Sequence, residues 1–446
     1  MLFTSKDIKK IIVPLIIEQL FAVTIGMLDT VMVSHAGESA VSGVSLVDSL
    51  NLLMVYIFTA LASGGAITIS QLLGAGKKEH TNNAAKQLVW VVFSISTLIM
   101  AIVLVFRAPL LSLVFGSITK EVMANARIYF LFTAMSYPFL ALYNAGASIF
   151  RAMGNSKISM KVSLIMNLLN FGGNALFIFV FRLGAAGAAL STLIARIVGA
   201  VIMLYLAHNK NLPVYLEKLH LYKPDFRIIK RICAIGIPNG MENGMFQFGK
   251  VITQSLISSF GTVQIAANAA ASSLSSLQYT MGGAVGLTMI TVVGQCVGAG
   301  EKEQAAKYAK KLLGLSYTLM ASVAVIMAIF AKQLVGLFAL SEQSASLAVI
   351  LLTMHSVAIA TVHPTAFSLT NSFRAANDVK FTMILSIISM WIFRVGLSFV
   401  FAKHLGMGVI GVWCAMFCDW TFRAICFGTR LMKGTWLTKY KALETE

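Results

Sequence analysis

Glu18 and Asp29 stand eleven residues apart in IIVPLIIEQLFAVTIGMLDTVMV (11–33), a run long and apolar enough to cross a bilayer as a helix. At about 100° per residue they share one face, roughly 16 Å apart along the axis. A carboxylate at bilayer depth costs about 2.5–3.5 kcal/mol, and such groups face a bundle interior or a water-filled cavity. Asp29 either lies near the outer membrane surface, touching headgroups or capping a neighbour, or is an internal carboxylate whose charge burial disfavours, suited to take up a cation or a proton at one face and release it at the other. The stretch MNLLNFGGNALF supplies partners, since Asn170 and Asn174 lie one turn apart on one helical face. Two amide carbonyls beside a carboxylate form an oxygen set for a small hard cation. The competing reading of the asparagines is hydrogen bonding between helices. Thr192, in GAALSTLIAR, adds one hydroxyl.

The elements that position these residues are membrane helices. The 446 residues are 58% hydrophobic and 12% charged, about half the charge of a soluble globular chain. Apolar runs recur from end to end, which describes an integral membrane protein and argues against a cleaved leader at the first run. Twelve spans are expected, at 11–33, 45–73, 88–106, 128–150, 162–181, 186–207, 232–259, 267–297, 312–330, 347–372, 381–401 and 408–428. The net charge of +18 follows topology. Of 35 Lys and Arg, 25 fall in the termini and the loops after even-numbered spans. This bias puts both termini in the cytoplasm and removes nucleic acid as a partner.

Shifted by 224 residues, the chain matches itself. Pro14 and Glu18 land on Pro238 and Glu242, and Gln71, Gly74, Ala75 and Gly76 land on Gln295, Gly298, Ala299 and Gly300. With a one-residue slip, FRA at 150–152 meets FRA at 373–375. A constant lag marks a duplication. Six spans per half give parallel repeats, with a substrate site expected between them. The halves are 1–207 and 232–446, joined by a basic cytoplasmic linker at 208–231.

Other motifs are weak. GAGKK (74–78) and GAGEK (298–302) lack the first Gly and the Ser/Thr of a phosphate loop and read as glycine helix ends. ATP is therefore not expected as a partner. Cys233, Cys296, Cys414, Cys418 and Cys426 have no completing metal set and read as packing residues. Glu18 and Glu242 either sit in the first turns of their helices, favoured by the helix dipole, or flank an inner mouth that attracts cations. Lys250 either snorkels or lines a cleft. Asp419 and Arg423, four apart, are expected to neutralise each other. Tyr143, Asn144, Gln278, Tyr279 and Met281 are candidates for a re-packing substrate surface, or equally for bundle packing.

The arrangement of Pro14, Glu18, GMLD29TVMV and SHAG37, followed by QLLGAG, FRAMGNSK, NLLNFGGN and LGAAGAALST, resembles bacterial members of the multidrug and toxic compound extrusion (MATE) family, in its NorM-like branch. The resemblance covers residues 8–430. It implies an all-α membrane fold of twelve helices in two six-helix lobes around a central cleft. It also implies that Asp29 couples a cation, with Asn170, Asn174 and Thr192 at the positions of the family's fifth- and sixth-span polar residues. Asn174 stands where many relatives have an aspartate, which leaves Asp29 as the only acid of the expected site and leans towards Na+ over H+. Phe246 stands where relatives often have an acid of the seventh span, and the tenth span carries only His355 and His363.

The expected function is a secondary antiporter, not an enzyme and without cofactor, in the bacterial inner membrane. It exports amphipathic cations in exchange for Na+ or H+ as a monomer, with no other metal. A flippase for a lipid-linked saccharide is the main rival, but mid-span cations are sparse. An intramembrane hydrolase lacks any HExxH or GxSxG motif. A passive channel fits the duplicated lobes poorly.

Overall fold

A computed structural model describes all residues except Met1, Ser117, Lys218, His220, Leu221, Ala339 and 441–446; the side chains of Met27 and Thr30 also lie outside the described set. Among the described residues the fold is helical throughout, without strands. This is what lipid demands, since a helix satisfies its own backbone hydrogen bonds. The helices are α1 (Ser5–Ser34), α2 (Glu38–Gly74), α3 (Lys78–Phe115), α4 (Lys120–Met135), α5 (Tyr137–Ala152), α6 (Ser156–Asn174) and α7 (Gly184–Ala207). They continue with α8 (Phe226–Ser258), α9 (Thr262–Gly298), α10 (Lys302–Ile329), α11 (Ala331–Gly336), α12 (Glu342–Thr361), α13 (Thr370–Ala375), α14 (Val379–Ser389) and α15 (Gly408–Lys433). Wide π turns follow α6 (Ala175–Val180), α12 (Pro364–Ser368) and α14 (Met390–Gly396 and Phe399–His404).

Ten helical stretches are long and apolar enough to cross a membrane. The remaining two of the twelve depart for local reasons. Pro138 at the start of α5 has no N–H to continue a helix, so the fourth span breaks at Ser136 into α4 and α5. The seventh span, α8, carries Pro238, Asn239, Glu242, Asn243 and Gln247 in its middle, which bring its mean hydropathy below that of the other spans. The helices also outrun the apolar windows: α3 covers Lys78–Phe115, where 88–106 was expected, because it continues beyond its apolar middle.

The duplication is written in the backbone. Thr119 and Ser341 each cap a helix, α4 and α12, by accepting from the N–H three residues on. Gly76 (φ +71) and Gly300 (φ +81), 224 apart, take left-handed conformations that let the chain leave α2 and α9 tightly. Asn377 (φ +66) fills the place of Gly154 (φ +77); asparagine tolerates that region.

The chain divides into two compact units, Lys6–Gly240 and Met1–Ser5 with Met241–Glu446. The division falls within α8, and 208–231 sits with the first unit. In that unit α2 packs on α3, α4 and α5, and α7 on α4, α5 and α6. The first half of α8 crosses α2 at glycines: a Cβ on Gly64 would lie 2.4 Å from the Ile232 carbonyl oxygen and 2.9 Å from the Gly236 nitrogen. The stretch 208–231 is tied to α3, where Trp90 Nε1 donates to the Leu219 carbonyl (3.2 Å) and Gln87 Nε2 to that of Lys223 (2.7 Å). In the second unit α9 packs on α10, α12 and α13, while α15 lies against the π turns. Its core centres on Trp413, Trp420, Met320 and Leu351.

Candidate cation site and paired carboxylates

Asp29 comes from the last two turns of α1, and Asn170 and Asn174 from the last turns of α6, just before a π turn. Thr192 lies in the third turn of α7. Gly173 lets α6 and α7 approach, since a Cβ there would lie 2.4 Å from Ser191 Oγ. Ser191 Oγ donates to the Asn170 carbonyl at 2.6 Å, which locks the two helices together. The geometry brings all four expected residues into one group. Asn174 Nδ2 donates to Asp29 Oδ1 at 2.9 Å. The Asn170 amide satisfies both its ends when its nitrogen faces the Asp29 carboxylate (3.0 and 2.8 Å) and its oxygen faces the Thr192 hydroxyl (3.1 Å) and N–H (3.3 Å).

One atom in this group lacks a partner. Asn174 is only 2% exposed, and its side-chain oxygen accepts no hydrogen bond. A buried acceptor left unpaired costs about 1–3 kcal/mol. The two amides turn nitrogens rather than the expected carbonyls to Asp29, so besides the carboxylate the one amide oxygen left for a small hard cation is that of Asn174.

A second acid, missed by spacing alone, stands nearby. Asp48, in the third turn of α2, accepts from Tyr129 Oη (3.0 Å) and Asn51 Nδ2 (3.3 Å), and Tyr137 Oη donates to Asn51 Oδ1 (2.8 Å). Asp48 is close enough to Asp29 for their charges to repel, and Arg196 attracts it. Arg196 Nη1 itself donates to Ser136 Oγ at 2.6 Å, at the break between α4 and α5. The expectation of a single acid therefore gives way to two. An acid near the start of an apolar span looks like an end residue, and only the two tyrosines, brought from α4 and α5, mark it as internal.

Glu18 and Glu242 are neither free nor exposed, and they stand near the middle of α1 and α8 rather than in the expected first turns, because both helices begin more than three turns earlier. Glu18 lies 3.5 Å from Arg151 and accepts from Ser159 Oγ at 2.9 Å. Glu242 accepts from Arg374 Nη2 at 2.8 Å. The glutamates are 7% and 9% exposed. Their arginines are those of the two FRA motifs, so the duplication repeats an ion pair. Asp419 and Arg423 pair as expected, at 2.8 Å.

The other expected substrate-path residues are dispersed. Tyr143 is buried, against the glycine face of α7 at Gly199 and hydrogen-bonded to Ser163. Asn144 is half-buried, and its amide nitrogen has no partner. Gln278 is fully buried, donating to Ser356 Oγ (2.8 Å) and bonded to His355 Nδ1 (2.6 Å). Tyr279 Oη meets the other nitrogen of His355 at 2.7 Å. Met281 packs against the core of its unit. Lys250 is exposed, its ammonium 6.0 Å from the Phe246 ring. Among the described residues no three His, Cys, Asp or Glu gather as a metal site.

Comparison with known proteins accords with this architecture. The MatE family model matches the chain twice, over 14–176 and over 238–400, with the same 224-residue lag. An uncharacterized transporter, YisQ, of Bacillus subtilis is 28% identical over 432 residues, covering 96% of this chain and 94% of the relative. A probable multidrug resistance protein NorM of Thermotoga maritima is 24% identical, covering 97% and 93%. Among solved structures, a MATE protein in its straight conformation superposes with a TM-score of 0.90 at 20% identity, over 97% of both chains. An outward-facing multidrug resistance MATE transporter gives 0.89 at 20%, over 97% and 96%. The duplicated six-helix fold and the two family matches together show that this chain belongs to the MatE family of multidrug and toxic compound extrusion transporters, and is a multi-pass membrane transporter rather than an enzyme.

Proposed function

We propose that the protein is an antiporter that exports amphipathic small molecules, cationic ones among them, in exchange for a cation held at Asp29, Asn170, Asn174 and Thr192. The observation that carries this reading is the buried, unpartnered Asn174 oxygen beside the Asp29 carboxylate. It favours Na+ over H+, since a metal ion needs an extra oxygen where a proton on Asp29 needs none. Ion arrival neutralises Asp29, repacks α1 against α6 and α7, and favours the state that releases substrate outward. Inward movement of one charge across 100 mV supplies about 2.3 kcal/mol, roughly fiftyfold in concentration. Asp48 and its tyrosines act beside this site by setting the charge that Asp29 feels.

In this reading residues 1–207 and 232–446 form the two lobes, 208–231 is their cytoplasmic linker, and both termini face the cytoplasm of a bacterial inner membrane. The carrier works as a monomer without ATP. Glu18 and Glu242, each neutralised by a motif arginine, clasp the middles of α1 and α8 and guard the substrate entrance only when those pairs open. Lys250, Asn144, Tyr143, Tyr279, Gln278 and Met281 belong to the substrate path or its supporting wall.

The test is efflux of a fluorescent cationic dye from proteoliposomes under a Na+ gradient and, separately, a pH gradient. Efflux driven by one gradient and not by a membrane potential alone supports coupled antiport and names the ion. Dye retained under both gradients overturns it.

A further inference from the structure

The second unit carries positive charge that its acids do not balance. Glu242 is taken by Arg374, Asp378 by Arg430, and Asp419 by Arg423. In the apolar middles of its spans two further cations stand, Lys250 and Arg394, and neither has an ion pair among the described residues. Both lie over the same ring: the Arg394 guanidinium is 5.0 Å and the Lys250 ammonium 6.0 Å from the Phe246 centroid. They are near enough to repel each other.

Arg394 is the more telling of the two. It is only 9% exposed, and its Nη1 has no hydrogen-bond partner. The acid in electrostatic reach, Asp419, spends its Oδ1 on Arg423 (2.8 Å) and on the Ser389 hydroxyl, while its Oδ2 is buried without a hydrogen bond and accepts none from Arg394. Arg423, which also approaches Phe246 (5.7 Å), donates its Nη2 to the Ser386 carbonyl at 2.9 Å. A buried guanidinium with an idle nitrogen is costly unless something occupies it.

The duplication shows that this arrangement is built in rather than inherited from the other half. Ser156 and Val379, which open α6 and α14, are 223 residues apart, whereas Ala175 and Phe399, which open the matching π turns, are 224 apart. One residue has been added between them in the second repeat. The π turn Met390–Gly396, absent from the first repeat, accommodates such an addition and contains Arg394. Single-residue π insertions gather at functional positions. The first repeat has Asn170 and Phe171 at the corresponding level, and Gly26 where the second has Lys250.

We propose that Arg394 and Lys250 form an anion subsite that takes the carboxylate of an amphipathic substrate, with Phe246 as the apolar floor beneath its hydrocarbon part. Arg394 supplies a planar fork that fits a carboxylate, and Lys250 supplies a second charge from an exposed position. The substrate range thereby extends from cations to zwitterions and organic acids. That the carboxylate belongs to cargo rests on the transport reading above; the binding site itself does not.

The experiment is equilibrium dialysis of the purified full chain in detergent with 2-naphthoate and with 2-naphthylmethylammonium, which share a ring system and differ in charge. Saturable naphthoate binding is expected, weakened at least tenfold by Arg394→Gln and about threefold by Lys250→Gln, with Arg394→Lys falling between wild type and Arg394→Gln because it keeps the charge but loses the fork, and with the cation's binding not reduced. Lys250 is exposed, so its variant keeps the test valid should Arg394→Gln misfold. Absence of saturable naphthoate binding in the wild type, or binding that both glutamine variants leave unchanged, overturns the subsite. Dye efflux in proteoliposomes from the same preparation separates the two readings. Efflux without naphthoate binding sinks the subsite alone, and arginine-dependent binding without gradient-driven efflux sinks the transport reading alone.

Discussion

Arg374 Nη2 donates to Glu242 at 2.8 Å, and the repeat-related Glu18 forms an ion pair with Arg151 at 3.5 Å. Each pair joins the proline-bearing helix of its repeat to the arginine of an FRA motif, and each is nearly buried. Removing one partner strands a buried charge, which costs about 3–5 kcal/mol, whereas neutralising both costs far less. Arg374→Ala is therefore expected to lower the thermal midpoint of the detergent-solubilised protein clearly. The double variant Glu242→Gln with Arg374→Gln recovers most of that loss. A double variant as unstable as the single one contradicts the clasp.

At the cation site, Asn174 contributes both a donor to Asp29 and an idle acceptor. Asn174→Leu removes both and is expected to abolish ion-driven efflux while protein yield stays normal. Asn174→Asp adds a second acid, so efflux shifts from dependence on Na+ towards dependence on a pH gradient. Efflux measured under each gradient separates these outcomes; unchanged ion dependence in Asn174→Asp counts against Asn174 as a ligand.

Asp48 receives hydrogen bonds from Tyr129 and Asn51 and repels Asp29. Asp48→Asn keeps the shape but deletes that repulsion. Ion dependence of dye efflux is expected to shift several-fold in half-saturating concentration, with a smaller change in maximal rate. An identical ion titration shows that Asp48 is structural only.

The α2–α8 crossing tolerates no side chain at Gly64, whose Cβ would strike backbone at 2.4 Å. Overpacking of this kind costs about 1–3 kcal/mol. Gly64→Ala is expected to lower thermal stability, whereas Gly172→Ala, with nothing within 4 Å, leaves it unchanged or raised. Equal stability of the two variants contradicts the close crossing.

Much of this was legible because period and lag survive in a single chain. The apolar runs announced twelve helices and the 224-residue repeat paired them six to six, and the positive-φ residues and helix caps recur at nearly that lag because each repeat makes the same turns. Asp29, Asn170 and Asn174 were legible because polar groups are costly in apolar runs. What spacing hid were partners from distant elements. Nothing near Glu18 in sequence names Arg151, and nothing near Asp48 names Tyr129. The π turn around Arg394 showed only as a one-residue change of lag, and the break at Ser136 only as a proline two residues on.

The most direct measurement compares wild type with Asp29→Asn in proteoliposomes, following dye efflux under imposed Na+ and pH gradients. The account predicts that one gradient drives efflux in the wild type and that the variant loses nearly all of it while still binding dye. Full gradient-driven efflux in Asp29→Asn would contradict the central assignment.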